Sequence, residues 1–253
     1  MTGDVIDLHQ FASNLATVSE AKRSLEELVD GEAGKLAAKP LAFFVPPKRP
    51  AKPPVVDARL VAKVLRADLK PTTGAHNAFD FARLLLRRIL GPDDLPVVSS
   101  TLKTMRIGLK AREWLKQCPD KLQYLVCSTA KRGDTWSRRR NVKERIFLDV
   151  EWDDLPSDDQ LKILWWLKVA KEWKLISITF SGGKSYHGLF YTRGESNEKV
   201  QGMISLAKRL GACQGSLRAD LLVRFPGGLR RDEKGERRQR IVYLNDQFTI
   251  NSC

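Results

Sequence analysis

The 253-residue chain is poor in the residues that build zinc sites and disulfide frameworks. It has four cysteines (Cys118, Cys127, Cys213 and Cys253) and three histidines (His9, His76 and His187). No two cysteines stand in a Cys-x-x-Cys spacing, so no zinc is expected and the cysteines read as buried reduced thiols. No apolar run approaches the roughly 18 residues of a membrane span, and Met1 to Asp7 lack the basic start of a signal peptide. No membrane partner is expected, and the cytoplasm (or a host cytoplasm, for a mobile element) is the expected location. Acidic residues are scarce as well: 30 Asp and Glu stand against 44 Lys and Arg, a net charge of +14. That excess favours a polyanionic partner, and nucleic acid ahead of membrane, because no basic amphipathic helix stands out.

Residues 176 to 191, ISITFSGGKSYHGLFY, contain a Gly-Gly-Lys-Ser that invites comparison with a nucleotide-hydrolase phosphate loop. That loop has the form G-x-x-x-x-G-K-[ST] and leads into a helix. Counting back from Gly183, its first glycine falls on Ile178, and the aromatic-rich residues after Ser185 suit a strand. The stretch reads as strand, Gly-Gly turn, strand, with Lys184, Ser185 and His187 beside the turn.

Four regions follow from the pattern along the chain. Residues 1–44 carry a helical pattern, clearest from Ser19 to Val29. Residues 45–56, containing VPPKRPAKPP, form a Pro-rich basic linker, since five prolines can continue neither helix nor central strand. Residues 57–118 read as a helical subdomain; Phe79, Ala82, Leu85, Leu86 and Ile89 recur at helical spacing with Arg83, Arg87 and Arg88 among them, and Gly91-Pro92 stops the helix. Residues 119–253 alternate strands and helices. RIFLDVEW, LISITFS, SYHGLFY, LLVRF and RIVYLN read as strands, and 157–173 and 196–211 as helices, the first capped by Ser157 or Asp158 and the second closed by Gly211. The expected fold is α+β: a ferredoxin-like or RRM-like split βαβ core preceded by a helical N-terminal region.

Three stretches carry candidate chemistry. In IFLDVEW, Asp149 and Glu151 sit two apart on a strand, so both side chains point to one face with Cα atoms about 6–7 Å apart. Carboxylates held that way repel unless a cation lies between them, and oxygen ligands suit Mg²⁺ or Mn²⁺. The same pair is also what a strand end running into Asp153-Asp154 would show. Lys184, Ser185 and His187 at the Gly-Gly turn offer a charge, a hydroxyl, an imidazole and free backbone N–H groups, a set that suits a triphosphate. In RADLLVRFPGG, Asp220 opens or precedes a strand ending at Arg224, and a third carboxylate would complete a two-metal site.

Together, Leu148-Asp149-Val150-Glu151, Ser185-Tyr186-His187 and Asp220 resemble the archaeo-eukaryotic primase superfamily, within it the primases and primase-polymerases of plasmids and phages. Ser181-Gly-Gly-Lys and Arg224-Phe-Pro-Gly add to the likeness, which covers about residues 120 to 250. The resemblance implies template-directed nucleotidyl transfer on single-stranded DNA with NTP or dNTP. In that reading Asp149, Glu151 and Asp220 hold two Mg²⁺ or Mn²⁺ ions, with Asp246 the substitute third acid. Lys184, Ser185, His187 and Arg224 hold phosphates. Arg138, Arg139, Arg140, Arg230 and Arg231, with Lys131, Arg132, Lys143, Arg237, Arg238 and Arg240, form a DNA-binding rim where Trp136 could stack a base. A replicative helicase is a further candidate partner. Two other readings stay open: a non-catalytic single-strand or origin-binding replication module that keeps the fold, and a metal nuclease. The nuclease is disfavoured because the lysine such enzymes place two after the glutamate is here Asp153.

Overall fold

The alternation that marks residues 147–151 and 175–191 as strands sorts their side chains onto two faces, and both faces are covered. A computed structural model of the chain describes residues 56–67, 74–101, 105–131, 142–233 and 235–250. The expected N-terminal helical segment (1–44), all of the linker but Val56, and Arg132, Trp136, Arg138, Arg139 and Arg140 lie outside them. Two four-stranded antiparallel sheets and five α-helices make a mixed α/β architecture among the described residues.

The first sheet has the order β12-β7-β8-β6, from β6 (Phe147–Glu151), β7 (Leu175–Phe180), β8 (Tyr186–Tyr191) and β12 (Arg240–Leu244). On one face Leu148, Val150, Ile178 and Phe190 pack with Ile163, Leu164 and Leu167 of α4 (Ser157–Ala170) and Met203 and Ala207 of α5 (Asn197–Arg209). On the other face Phe147, Leu189, Ile241 and Leu244 belong to a second core. That core includes Phe81, Ala82 and Leu85 from α2 (Ala78–Leu84) and the short π turn that continues it (Leu85–Ile89). It also takes in Val98, Leu125 and Val223 of the second sheet, whose order is β2-β1-β3-β9. Those strands are β1 (Val97–Ser99), β2 (Met105–Ile107), β3 (Tyr124–Val126) and β9 (Leu222–Arg224). Two antiparallel ribbons complete the strands: β4 (Ser128–Ala130) with β5 (Val142–Arg145), and β10 (Leu229–Asp232) with β11 (Gly235–Arg238).

Three expectations change. The unit β6-α4-β7, with β8 inserted antiparallel between its strands, is the split βαβ the sequence implies. In a ferredoxin-like sheet, however, the last strand lies beside the first. Here β9, the strand after α5, leaves for the second sheet by pairing with β3, and β12 lies beside β7. Residues 57–118, expected to be helical, hold strands as well as helices, and Pro53–Cys253 forms one compact unit. Although α1 (Ala58–Leu65), α2 and α3 (Gly108–Gln117) are helical, the β-branched pair Val97-Val98 between them forms β1 at the centre of the second sheet, with β3 as its partner. Finally, α4 begins at Ser157 without a side-chain cap, because the Ser157 hydroxyl donates instead to the Lys184 carbonyl at 3.2 Å.

Helix α2 shows why its start is fixed so firmly. Asn77 accepts from the backbone N–H groups of Phe79 and Asp80 at 2.8 and 3.2 Å, while Asp80 accepts from the Asn77 N–H at 3.0 Å. This reciprocal cap satisfies donors that a helix N-terminus otherwise leaves to water.

Candidate active site

The floor of the site is built by strand register. Antiparallel pairing sets Glu151 opposite His187 and Asp149 opposite Leu189, so the two acids and the histidine share one face of the first sheet. Thr179 lies across from His187 on the next strand. His187 Nδ1 is 3.2 Å from Asp149 Oδ2, and its Nε2 is 3.0 Å from Glu151 Oε2. A ring with a carboxylate oxygen at each nitrogen is satisfied when it donates from both, which is the imidazolium. Burial alone would push its pKa down, but Asp149 and then Glu151 overcome that and raise it to about 10.

The two acids respond differently. Burial pushes the Asp149 carboxyl above its ordinary range against the pull of His187, and Glu151 adds to the rise. Burial also pushes on Glu151, but the hydrogen bond and charge of His187, joined by the charge of Arg224, hold it below its ordinary range. Asp149 is 1% exposed, and its second oxygen, Oδ1, is buried without a hydrogen-bond partner. An orphan carboxylate oxygen at such depth is costly, and a cation is the partner that relieves it. Ligand atoms of Asp149, Glu151 and His187 lie within 4.8 Å of one another, and no other such group of three occurs among the described residues. Two carboxylates suit Mg²⁺ or Mn²⁺, and the His187 ring could join them as a ligand only after giving up a proton.

Above this floor opens a cleft of about 250 Å³ lined by Tyr124, Asp153, Ser181, Ser185, Arg224 and Arg230 together with the acids and the histidine. Arg224, at the end of β9, donates to the Tyr124 hydroxyl at 3.3 Å. Ser181 and Ser185 face each other with hydroxyls 3.1 Å apart. Arg230 reaches the Ser181 carbonyl at 3.2 Å and bonds Asp232 at 2.7 Å. A second cleft, of about 810 Å³, adjoins it and shares Asp153, Ser185 and Arg230; Gly182, Gly183, Lys184 and Arg237 line it. The turn between β7 and β8 needs a glycine at 182 and sets Gly183 against Arg230. Gly182 has φ of +78°, and a Cβ on Gly183 would stand 2.9 Å from an Arg230 guanidinium nitrogen.

One buried side chain holds this turn in place. Gln160, on α4, is 0% exposed. Its amide nitrogen donates to the Leu155 carbonyl at 2.6 Å and the Lys184 carbonyl at 3.3 Å, and its oxygen accepts from the Tyr186 N–H at 2.7 Å. It therefore ties the loop leaving the Asp149 strand to both sides of Ser185.

The residues singled out from sequence divide accordingly. Asp149, Glu151, Ser185, His187 and Arg224 converge on one cleft, and Lys184 is exposed on its neighbour. His187 grips the two carboxylates, whereas a phosphate contact was expected of it. Asp220 does not join them. It falls in a turn two residues before β9, is bonded by Arg218 at 3.0 and 2.7 Å, and is absent from the three-residue ligand group. The substitute, Asp246, lines a different cleft with His76, Asp80, Arg83, Arg87 and Arg88. Arg230, expected on the DNA rim, lies inside the site. Arg231 is exposed and paired with Glu236 at 2.8 Å, Arg237 is paired with Asp232, and Arg238 with Asp120 at 3.4 Å. Tyr124, Asp153 and Gln160 were not picked out. Gln160 had a signal: it is a polar residue on the apolar stripe that continues through Ile163, Leu164 and Leu167.

No protein-family model matches the chain, and no curated protein matches it. Among solved structures it is similar to the AEP domain of the cyanophage S-2L primase-polymerase, at 12% identity and a TM-score of 0.43, over 70% of this chain and 93% of that one.

Proposed function

We propose that this chain is a nucleotidyltransferase that makes primers on single-stranded DNA from NTP or dNTP. The observation that carries the reading is the buried Asp149 with its orphan oxygen, set beside Glu151 and His187 on the floor of a cleft walled by Ser185, Arg224 and Arg230. A buried carboxylate oxygen without a partner costs more than the unpartnered hydroxyls of Ser177, Thr179 and Thr192, and a non-catalytic binding module supplies no cation to relieve it.

Asp149 and Glu151 would hold Mg²⁺ or Mn²⁺, which when bound neutralises a triphosphate and lowers the pKa of an attacking 3′-hydroxyl. Asp220 would have to exchange Arg218 for the metal to act as a third ligand, so the metal reading rests on the carboxylates of Asp149 and Glu151, with His187 as their partner. His187 holds the acids ionised and aimed together, and its protonated ring adds positive charge beneath the phosphates. Ser181, Ser185 and the backbone N–H groups of the Gly-Gly turn offer donors to phosphate oxygens, with Arg224, Arg230 and Lys184 supplying charge from the walls. Phosphoryl transfer asks chiefly for positioning and charge neutralisation, so no general base is required. The rim Arg231, Arg237 and Arg238 are engaged in exposed pairs worth little each, which a DNA phosphate can replace.

The test is incubation of the full chain with unprimed circular single-stranded DNA, labelled nucleotides and Mg²⁺ or Mn²⁺. Labelled oligonucleotides that appear only with the metal are expected; DNA binding without any product in either metal would leave the binding-module reading in its place.

A further inference from the structure

A second basic cleft, of about 320 Å³, shares no lining residue with either cleft of the candidate active site. Arg83, Arg87 and Arg88 line it with His76, and all three arginines stand on α2 and the π turn that continues it. Across most of the molecule, arginines close to acids are firmly paired: Arg193, Arg209, Arg218, Arg230, Arg231 and Arg237 each bond a carboxylate at 2.5–2.8 Å. Here they are not. Among the described residues Arg83 pairs with Asp80 alone, at 3.7 Å, and Arg88 reaches the Phe248 carbonyl at 3.5 Å and no carboxylate. Arg87 has no ion pair within 4 Å among the described residues. This is so although two acids line the same cleft. Asp80 is occupied by capping α2 through the Asn77 N–H, and Asp246 is exposed.

Two further features narrow the ligand. Burial of Leu85 and Ile89 in the core fixes the π turn and leaves Arg87 and Arg88 on its outer side. Such turns recur at functional sites because an extra residue per turn re-aims side chains at a cost to the helix. One turn before Arg83 on the same face stands Phe79, 43% exposed, the one aromatic among the exposed large apolar side chains of the described residues. A guanidinium fork matches phosphate oxygens pairwise, and an exposed ring gives a face on which a base can stack. A free phosphate or an acidic peptide would use the charges but not the ring.

We infer that Phe79, Arg83, Arg87 and Arg88 form a second contact for single-stranded nucleic acid, apart from the candidate active site. The arginines take backbone phosphates and Phe79 takes a base. Because α2 and the π turn pack through Phe81, Ala82, Leu85 and Ile89 and present these four residues outward, they can be changed without opening the core.

The experiment measures binding alone, so its outcome is independent of whether the chain makes primers. Fluorescence anisotropy with a labelled oligothymidylate is recorded on the full chain, its Arg83→Ala/Arg87→Ala variant and its Phe79→Ala variant over a range of salt, with melting temperatures as a control on folding. Removing two phosphate contacts should make the slope of log K against log salt shallower by about 1.4, at roughly 0.7 per contact. Phe79→Ala should weaken binding about tenfold at an unchanged slope, the loss of one stacked base. If neither variant differs from wild type, the inference is overturned. It is equally overturned if the arginine variant alone responds and tripolyphosphate or polyglutamate displaces the oligonucleotide as effectively as unlabelled strand, since the site would then be a general polyanion cleft.

Discussion

Replacing Gln160 by leucine should loosen the turn that carries Ser185 while leaving the carboxylate floor intact. Leucine fills nearly the same volume but takes away three hydrogen bonds. The Lys184 carbonyl keeps the Ser157 hydroxyl. The Tyr186 N–H and the Leu155 carbonyl lose the Gln160 amide. A half-buried group left without a partner costs about 1–3 kcal/mol. For the two groups together that is about 2–6 kcal/mol, so at roughly 2–4 °C per kcal/mol for a unit of this size the melting temperature should fall by about 4–24 °C. Gln160→Glu separates the two halves of the clamp. Its carboxylate can still accept from Tyr186 but faces the Leu155 and Lys184 carbonyls with no proton to donate. It should therefore be less stable than the leucine variant at pH 8 and should recover as the pH falls and the buried acid takes up a proton. Amide hydrogen exchange gives the most local reading, with Tyr186 protection lost in Gln160→Leu while Leu189 and Phe190, deeper in β8, stay protected. In the synthesis assay the nucleotide KM should rise more than kcat falls, because Ser185 is displaced and the acids are not. An unchanged melting temperature together with unchanged Tyr186 exchange would refute the clamp.

Two other perturbations probe the packing of the same floor. His187, raised to about 10 in the folded chain, contributes stability that is fully present below its unfolded value near 6.5 and lost as pH rises through about 10; the upward shift of Asp149 acts in the same sense. In EDTA, the melting-temperature advantage of wild type over His187→Asn should therefore shrink between pH 7 and 10, and a constant or growing advantage would show that the imidazolium pair is absent. A Cβ on Gly188 would lie 2.4 Å from Leu164 Cδ2, so Gly188→Ala should cost about 1–3 kcal/mol by overpacking, and adding Leu164→Val should restore part of it; equal melting temperatures for wild type and Gly188→Ala would mean that α4 does not press on β8 this closely.

The legible part of this molecule is the part written in short range. Two-residue spacing put Asp149 with Glu151 and Ser185 with His187 on shared faces, and the Gly-Gly turn identified the hairpin between β7 and β8. Spacing along one strand cannot say which strand comes to lie beside it, so the grip of His187 on both acids became visible only with the register of β6 against β8. Asp220 lies apart from that pair for a related reason: a strand seen in LLVRF has no stated beginning, and the chain is still turning at residue 220, where Arg218 bonds the acid. β9 and β12 exchange roles because sequence order carries little information on whether a strand after a helix returns to its own sheet. Val97-Val98, too short to stand out beside the helical pattern around it, anchors the second sheet through long-range pairing with β3. Sequence shows the arginines as charges without partners; only three-dimensional pairing sorts Arg230 into the site, Arg231 and Arg237 into surface pairs, and Arg83, Arg87 and Arg88 of the earlier helical stretch into a group of their own.

The most direct measurement compares wild type with Asp149→Ala in Mn²⁺-dependent synthesis on unprimed circular single-stranded DNA, with oligonucleotide affinity measured on the same preparations. The account predicts that Asp149→Ala makes no product while its DNA affinity is unchanged or higher, since a negative charge facing phosphates has been removed. Product formation by Asp149→Ala at near the wild-type rate would contradict it.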